Sequence, residues 1–284
     1  MPQSNTSERS SLNIACVQMV SSTSVQDNLD AAARGIAQAV EMGAQVVVLP
    51  EYFCIMGQKD TDKVAEAEDY RADLPDDSTP IQLAMQMLAK QHQVYVIAGT
   101  IPLKCPDADK VYNTTLVYAP DGAVVARYDK IHLFGFNNGM ESYDEARTIY
   151  AGDTAQAPVV WDSPWGKIGL SICYDVRFPE LYRAARDVIA WVNVAAFTFT
   201  TGQAHWELLM RTRAVENQCY VVACGQGGRH DNGRQTFGHS MIIDPWGVVQ
   251  AVHETGEGVI AAPIKLSRIE RVRSSIPALS HRVL

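Results

Sequence analysis

Apolar runs that stop abruptly at a charged or reactive side chain constrain this chain more than any other feature. Val46-Val47-Val48-Leu49 ends at Pro50-Glu51, and Lys167-Ile168-Gly169-Leu170-Ser171-Ile172 ends at Cys173. Runs this short and this rich in buried-type residues read as strands. Between them, Arg127-Tyr128-Asp129-Lys130-Ile131-His132 sets a lysine between a strand and an apolar stretch. Past Cys173, Pro179 opens a helix expected to continue to residue 186, because proline's missing N–H costs nothing at a first helical position. Cys173 is thereby placed at the carboxyl end of a strand, where open α/β folds gather their ligands. Most cysteines are simply buried small hydrophobes, but a thiol held rigidly at a strand exit is also where a nucleophile would stand.

Strand, turn and helix alternate along the rest of the chain. A strand over 12–17 leads to a helix capped by Ser24 or Asp27, with Leu29, Ala32, Ile36 and Val40 at helical spacing and Gly43 as its stop. A second helix begins at Thr79-Pro80, buries Ile81, Met85 and Leu88, and feeds a strand over 94–98. Runs over 114–118 and 123–128 flank Pro120-Asp121-Gly122 and read as a hairpin. The second half adds a strand over 189–194, a helix over 203–217, a strand over 220–223 and a hairpin through Asp244-Pro245-Trp246-Gly247. Such alternation specifies the α/β class, a mixed sheet covered by helices.

No linker or repeat divides the 284 residues, so one domain over 11–284 is expected after a polar, disordered tail over 1–10. That tail lacks the apolar core of a secretory signal, and no later run is long enough to span a bilayer. The expectation is a cytoplasmic protein with no membrane partner. A net charge of −8 argues against a nucleic-acid surface, yet Lys130, Arg177, Arg211, Arg213, Arg229 and Arg234 remain available for a locally positive pocket. The six cysteines lie far apart, as reduced thiols do. Cys219 and Cys224, five apart, would face opposite sides of a strand, a poor arrangement for a metal. Neither metal nor cofactor is expected.

Glu51, Lys130 and Cys173, in that order and each at a strand exit, resemble the catalytic triad of the nitrilase superfamily of carbon–nitrogen hydrolases. The resemblance extends from about residue 13 to about residue 282. It implies an αββα sandwich of the nitrilase type, paired with a second copy into a four-layer αββα–αββα homodimer or a higher homo-oligomer. Glu145, within Tyr143-Asp144-Glu145-Ala146-Arg147-Thr148, matches a second glutamate of the family, with Glu141 the weaker match. In the implied chemistry Glu51 is the base, Cys173 the nucleophile, and Lys130 an oxyanion donor together with the backbone N–H of Tyr174, while Glu145 keeps Lys130 charged and aimed. Such a base is needed because a free thiol is mostly protonated at neutral pH.

Around these four, Arg177 reads either as a ligand for a substrate carboxylate or as half of an ion pair bracing the turn. Thr201 and His205, in Thr201-Gly202-Gln203-Ala204-His205-Trp206-Glu207, are further candidates for substrate contact, although His205 at a helix start also reads as a cap. A cysteine–histidine hydrolase based on His132, His205 or His239 is the nearest chemical competitor. Distal motifs, including Gly227-Gly228-Arg229-His230-Asp231-Asn232-Gly233-Arg234 and Phe237-Gly238-His239-Ser240-Met241, resemble the Nit branch whose members hydrolyse deaminated glutathione to 2-oxoglutarate and cysteinylglycine. An ω-amidase or other small amide or nitrile hydrolase, and a catalytically silent binding protein, are the alternatives. The segment over 178–197 departs from the family pattern, being about two residues shorter and lacking its Gly-Ala turn and Pro-Ser pair.

Overall fold

The computed structural model describes residues 10–72 and 75–283. Of the tail expected over 1–10, only Ser10 lies within the described residues, and its carbonyl accepts from the Leu266 N–H at 3.2 Å.

Two six-stranded sheets occupy the centre. In spatial order the first contains β14 (Gly258–Lys265), β1 (Ser11–Gln18), β2 (Val46–Val48), β3 (Tyr95–Lys104), β4 (Val111–Tyr118) and β5 (Val124–Asp129). The second contains β13 (Val249–His253), β12 (Ser240–Ile243), β11 (Tyr220–Gly225), β10 (Val188–Ala195), β9 (Gly166–Ile172) and β8 (Val160–Ser163). The strands that end at Glu51 and Cys173 are parallel-paired central strands: β2 lies between β1 and β3, and β9 pairs in parallel with β10.

Period-2 side-chain alternation explains why both sheets are covered twice. Leu12, Ile14 and Cys16 of β1 join the core shared with the second sheet, whereas Ala15 and Val17 join the core under the helices. Those helices are α1 (Val25–Glu41) and α3 (Pro80–His92), which bring Leu29, Ala32, Ile36, Ile81 and Met85 onto the sheet. The Ser24 hydroxyl caps α1 by accepting from the Asp27 N–H at 3.3 Å. On the opposite side, α4 (Pro179–Ala184) and α5 (Phe199–Asn217) add Leu181, Tyr182, Trp206, Met210 and Ala214 to the second sheet's core. The layers run helix, sheet, sheet, helix, which is the αββα sandwich.

Two boundaries depart from the expectation. α4 ends at Ala184 rather than 186, because Ala185 is extended and Asp187 takes φ +59° on the way into β10. α5 begins at Phe199 rather than 203, so Thr201 and His205 lie within its first two turns. A two-stranded ribbon, β6 (Gly135–Asn137) with β7 (Ser142–Asp144), and two further helices, α2 (Asp62–Ala65) and α6 (Leu266–Ser275), were not legible. The ribbon strands and α2, of three or four residues each, offer too few positions for either period to register, while the ten-residue α6 buries only Ile269 and Val272.

Candidate active site

Two strand exits carry strained backbone at the positions that matter. After β2 the chain turns at Pro50-Glu51 against β3, and Gly99 there takes φ +28° with its α-carbon so close that a Cβ would fall 1.9 Å from the Pro50 carbonyl oxygen. Only glycine permits that approach. Tyr52 follows with φ +58° and donates its N–H to Thr100 Oγ1 at 2.8 Å, which fixes the direction of Glu51. After β9, Cys173 itself takes φ +47°. A left-handed residue other than glycine costs about 1–3 kcal/mol and persists only where its surroundings over-determine it.

Asp175 supplies that determination. Buried completely, its Oδ2 accepts from the Ile172 N–H at 2.8 Å and from the Tyr128 hydroxyl at 2.8 Å, while Oδ1 lies 2.6 Å from His132 Nδ1. The Cys173 turn is thereby tied to the end of β5, the strand that delivers Lys130.

Lys130 is completely buried and bridges two carboxylates. Its Nζ donates to Glu51 Oε1 at 2.9 Å and to Glu145 Oε1 and Oε2 at 2.9 and 2.8 Å. Glu51 also accepts from Asn113 Nδ2 at 2.8 Å and, through Oε2, from the Ala196 N–H at 2.7 Å. Glu145 accepts from the Tyr52 hydroxyl at 2.9 Å and the Phe134 N–H at 2.7 Å. Burial alone would lower the Lys130 pKa, but Glu145 and Glu51 outweigh it and raise it. Burial likewise works to raise Glu145, and the Lys130 charge and hydrogen bonds overcome it and lower its pKa. The Cys173 thiol shares this environment and rises well above an ordinary thiol, first through burial and then through the Glu51 charge, with Lys130 opposing. It is a thiol that lines the same cavity as Glu51.

The sequence model of the family Carbon-nitrogen hydrolase matches residues 13–274. The chain belongs to this family. Among its relatives, this carbon–nitrogen hydrolase is 42% identical to the deaminated glutathione amidase of Synechocystis sp., over 95% of this chain and 97% of the other. It is 38% identical to the ω-amidase NIT2 of Bos taurus, over 95% of this chain and 94% of the other. The crystal structure of the Caenorhabditis elegans NitFhit protein superposes with a TM-score of 0.86 at 37% identity, covering 96% of this chain. The chain spans 65% of that protein's length. The protein is a nitrilase-superfamily hydrolase acting on carbon–nitrogen bonds other than peptide bonds.

In this hydrolase Glu51, Glu145 and Cys173 line one small cavity with Phe134, Ala196, Phe197, Thr198, Thr201 and Arg234, and Lys130 lies beneath it on both glutamates. The cavity is about 10 Å³, room for one water-sized group. Of the four expected substrate contacts, Thr201 lines it, whereas the side chains of Tyr174, Arg177 and His205 do not. Among the described residues Arg177 forms no ion pair, so it does not brace the turn as half of one. Its guanidinium lies 5.3 Å over the Phe197 ring, the cavity wall, and 3.4 Å from His205 Nδ1. His205, one turn inside α5, is a partner of Arg177 rather than a cap. Glu141, the weaker match, accepts from Thr200 Oγ1 at 3.0 Å and stays away from Lys130.

No histidine lines the cavity, which removes the cysteine–histidine arrangement. His132 is engaged by Asp175 and stacks on Phe178 at 3.8 Å, and His239 stacks on Phe237 at 4.0 Å. The basic loop divides: Arg234 reaches the cavity, Arg229 is exposed, and His230 is buried between the Ser21 carbonyl and Thr236. Asn113, Tyr52 and the Ala196 N–H escaped sequence reasoning. A mid-strand asparagine and a backbone donor leave no pattern, while Tyr52, directly after Glu51, carried the only available signal. Among the described residues no group of three or more His, Cys, Asp and Glu side chains is arranged to hold a metal.

Proposed function

We propose that the protein is a cysteine-dependent amidase that cleaves deaminated glutathione to 2-oxoglutarate and cysteinylglycine through a thioester on Cys173. The observation that carries the chemistry is the Lys130 ammonium clamped between Glu51 and Glu145 at the same cavity as the thiol. Glu51 takes the Cys173 proton as Sγ attacks the amide carbon, so negative charge leaves Glu51 and appears on the carbonyl oxygen. Lys130, whose donors are all committed to carboxylates at rest, loses its hold on the neutralised Glu51 and turns that donor to the oxyanion beside the Tyr174 N–H. One such donor contributes about 3 kcal/mol to the barrier. Glu51 then returns the proton to the departing amine, the C–N bond breaks, and the same carboxylate activates the water that hydrolyses the thioester. Glu145 holds Lys130 charged throughout.

The substrate assignment is supported by the 42% identity to the Synechocystis amidase and by the basic side chains Arg177 and Arg234 near the cavity. A second reading, an ω-amidase acting on 2-oxoglutaramate, is favoured by the 38% identity to the Bos taurus enzyme. Release of 2-oxoglutarate from each amide separates them. The first reading expects the higher kcat/KM on deaminated glutathione, none of it remaining in Cys173→Ala. A higher value on 2-oxoglutaramate selects the second.

The working unit is a homodimer or higher homo-oligomer. Leu208 and Val215 on one face of α5 are 65% and 51% exposed and adjoin Trp246 and Val248, 50% and 47% exposed, around a turn that packs on Val215. Light scattering should give a dimer or larger, and Leu208→Asp should dissociate it. A monomeric parent refutes this. No helix among the described residues is long and apolar enough to cross a membrane.

A further inference from the structure

The cavity over Cys173 has room for the reacting group alone, so the rest of any substrate must lie outside it. A cleft of about 370 Å³ opens next to it, with Arg234 common to both walls. This is the size at which small-ligand sites begin. Its sides are the segment over 55–63, Tyr143 of β7, and the loop over 232–234. The two loops are tied together, since Asn232 Nδ2 donates to the Gly57 carbonyl at 2.7 Å and Asn232 Oδ1 accepts from the Arg234 N–H at 2.9 Å.

Charge in this cleft is one-sided. Lys59, Lys63 and Arg234 line it against a single carboxylate, Asp60, and none of the three cations forms an ion pair among the described residues. Lys63 is half-buried, its ammonium 4.9 Å from the centre of the Tyr52 ring. Tyr52 in turn holds Glu145, so the ammonium stands one side chain away from the reacting network. Arg234 donates Nη2 to the Ala196 carbonyl at 2.8 Å and lies 5.5 Å over the Tyr143 ring, but its Nε is buried with no hydrogen-bond partner. A buried donor left unpaired is costly, and here it borders a cavity. Burial also lowers the Lys63 pKa, with Glu145 and Asp60 opposing and Arg234 reinforcing, so an anionic ligand would be welcome there.

We propose that this cleft is the leaving-group subsite and that Lys63 and Arg234 recognise a carboxylate on the amine half of the substrate. Lys59, exposed at the rim, contributes less. The inference rests on the amidase reading above and narrows it: the preferred amides carry an anionic, dipeptide-sized amine, whereas an amide that releases ammonia leaves the cleft unfilled. Lys63 is a specificity residue, outside the chemistry at Cys173.

The test compares Lys63→Met with the parent on deaminated glutathione and on 2-oxoglutaramate. One charge-assisted contact corresponds to a loss of about 10-fold to 100-fold in kcat/KM on the first. The second should change by less than about 3-fold, and Lys63→Arg should restore most of the first. Loss of the same size on both amides, or on neither, overturns the proposal. A separate arm titrates cysteinylglycine into Cys173→Ala protein by NMR. Binding should be present there, weakened at least about 10-fold by added Lys63→Met, and weakened similarly when the dipeptide's carboxylate is amidated. If the parent turned over neither amide, the functional reading would fall while this arm still decided the subsite; no binding, or binding indifferent to Lys63 and to the carboxylate, refutes it.

Discussion

The floor of the site and its rim are built on opposite principles. On the floor, Glu51 and Lys130 are buried and Glu145 is partly buried, and their carboxylates and ammonium are answered by each other, by Asn113, by Tyr52 and by two backbone N–H groups. At the rim, Lys59, Lys63 and Arg234 are exposed or half-buried and form no ion pair among the described residues. A network already satisfied has nothing to gain from a ligand's charge, so it can only respond when charge moves during reaction. Cations left without an ion-pair partner have binding energy to offer before anything reacts. In this account the floor performs the chemistry and the rim chooses the substrate.

Replacing floor residues should therefore damage turnover on every substrate, whereas replacing rim residues should discriminate between substrates. The largest effect expected is from Cys173→Ala, a loss of at least about 10⁴-fold in kcat measured by 2-oxoglutarate release, with the fold intact by circular dichroism. Next comes Glu145→Gln, which takes away one of the two charges holding Lys130. Its kcat should fall by about 10²-fold on both keto amides alike; a loss confined to one amide would move Glu145 from the floor to the rim. Tyr52→Phe removes a single hydrogen bond to Glu145 and should reduce kcat by about 5-fold to 10-fold. Because the Tyr52 ring also carries Lys63, the phenylalanine keeps that contact, and KM for deaminated glutathione should hold steady.

The smallest effect concerns the base of the rim loop, where His230 is buried. Burial lowers its pKa below the ordinary 6.5, against the pull of its bond to the Ser21 carbonyl. The folded protein thus binds fewer protons here than the unfolded chain. This contribution to stability is complete above about pH 6.5 and is lost as pH falls toward the folded-state value. Thermal melts between about pH 7.5 and 5.5 should show a decline that is flatter in His230→Gln. An equal slope in both proteins would dissociate His230 from the loop's stability.

How much of this was legible follows the same division. Each strand exit alone was a weak signal, and Glu51, Lys130 and Cys173 stood out only together, through their resemblance to the nitrilase-superfamily triad, as Glu145 did through the resemblance of its surrounding motif. The left-handed backbone at Tyr52 and Cys173 was not readable, since neither residue type advertises a positive φ. Asp175, which braces the Cys173 turn, acts through contacts to residues over forty positions away. The rim was hardest. Lys59 and Lys63 sit in a polar stretch that looks solvated, and Arg229, His230 and Arg234 are indistinguishable in one glycine-rich loop until folding sends them to solvent, to the interior and to the cavity.

The central claim is that carbon–nitrogen cleavage passes through Cys173 on a floor common to all substrates. The most direct measurement is mass spectrometry of the protein quenched in acid during turnover of deaminated glutathione, with the adduct mapped to its peptide. The account predicts a 2-oxoglutaryl thioester on the peptide containing Cys173, absent from Cys173→Ala and retained in Lys63→Met once substrate saturates. Turnover by the wild type with no adduct on Cys173, together with activity surviving in Cys173→Ala, would contradict it.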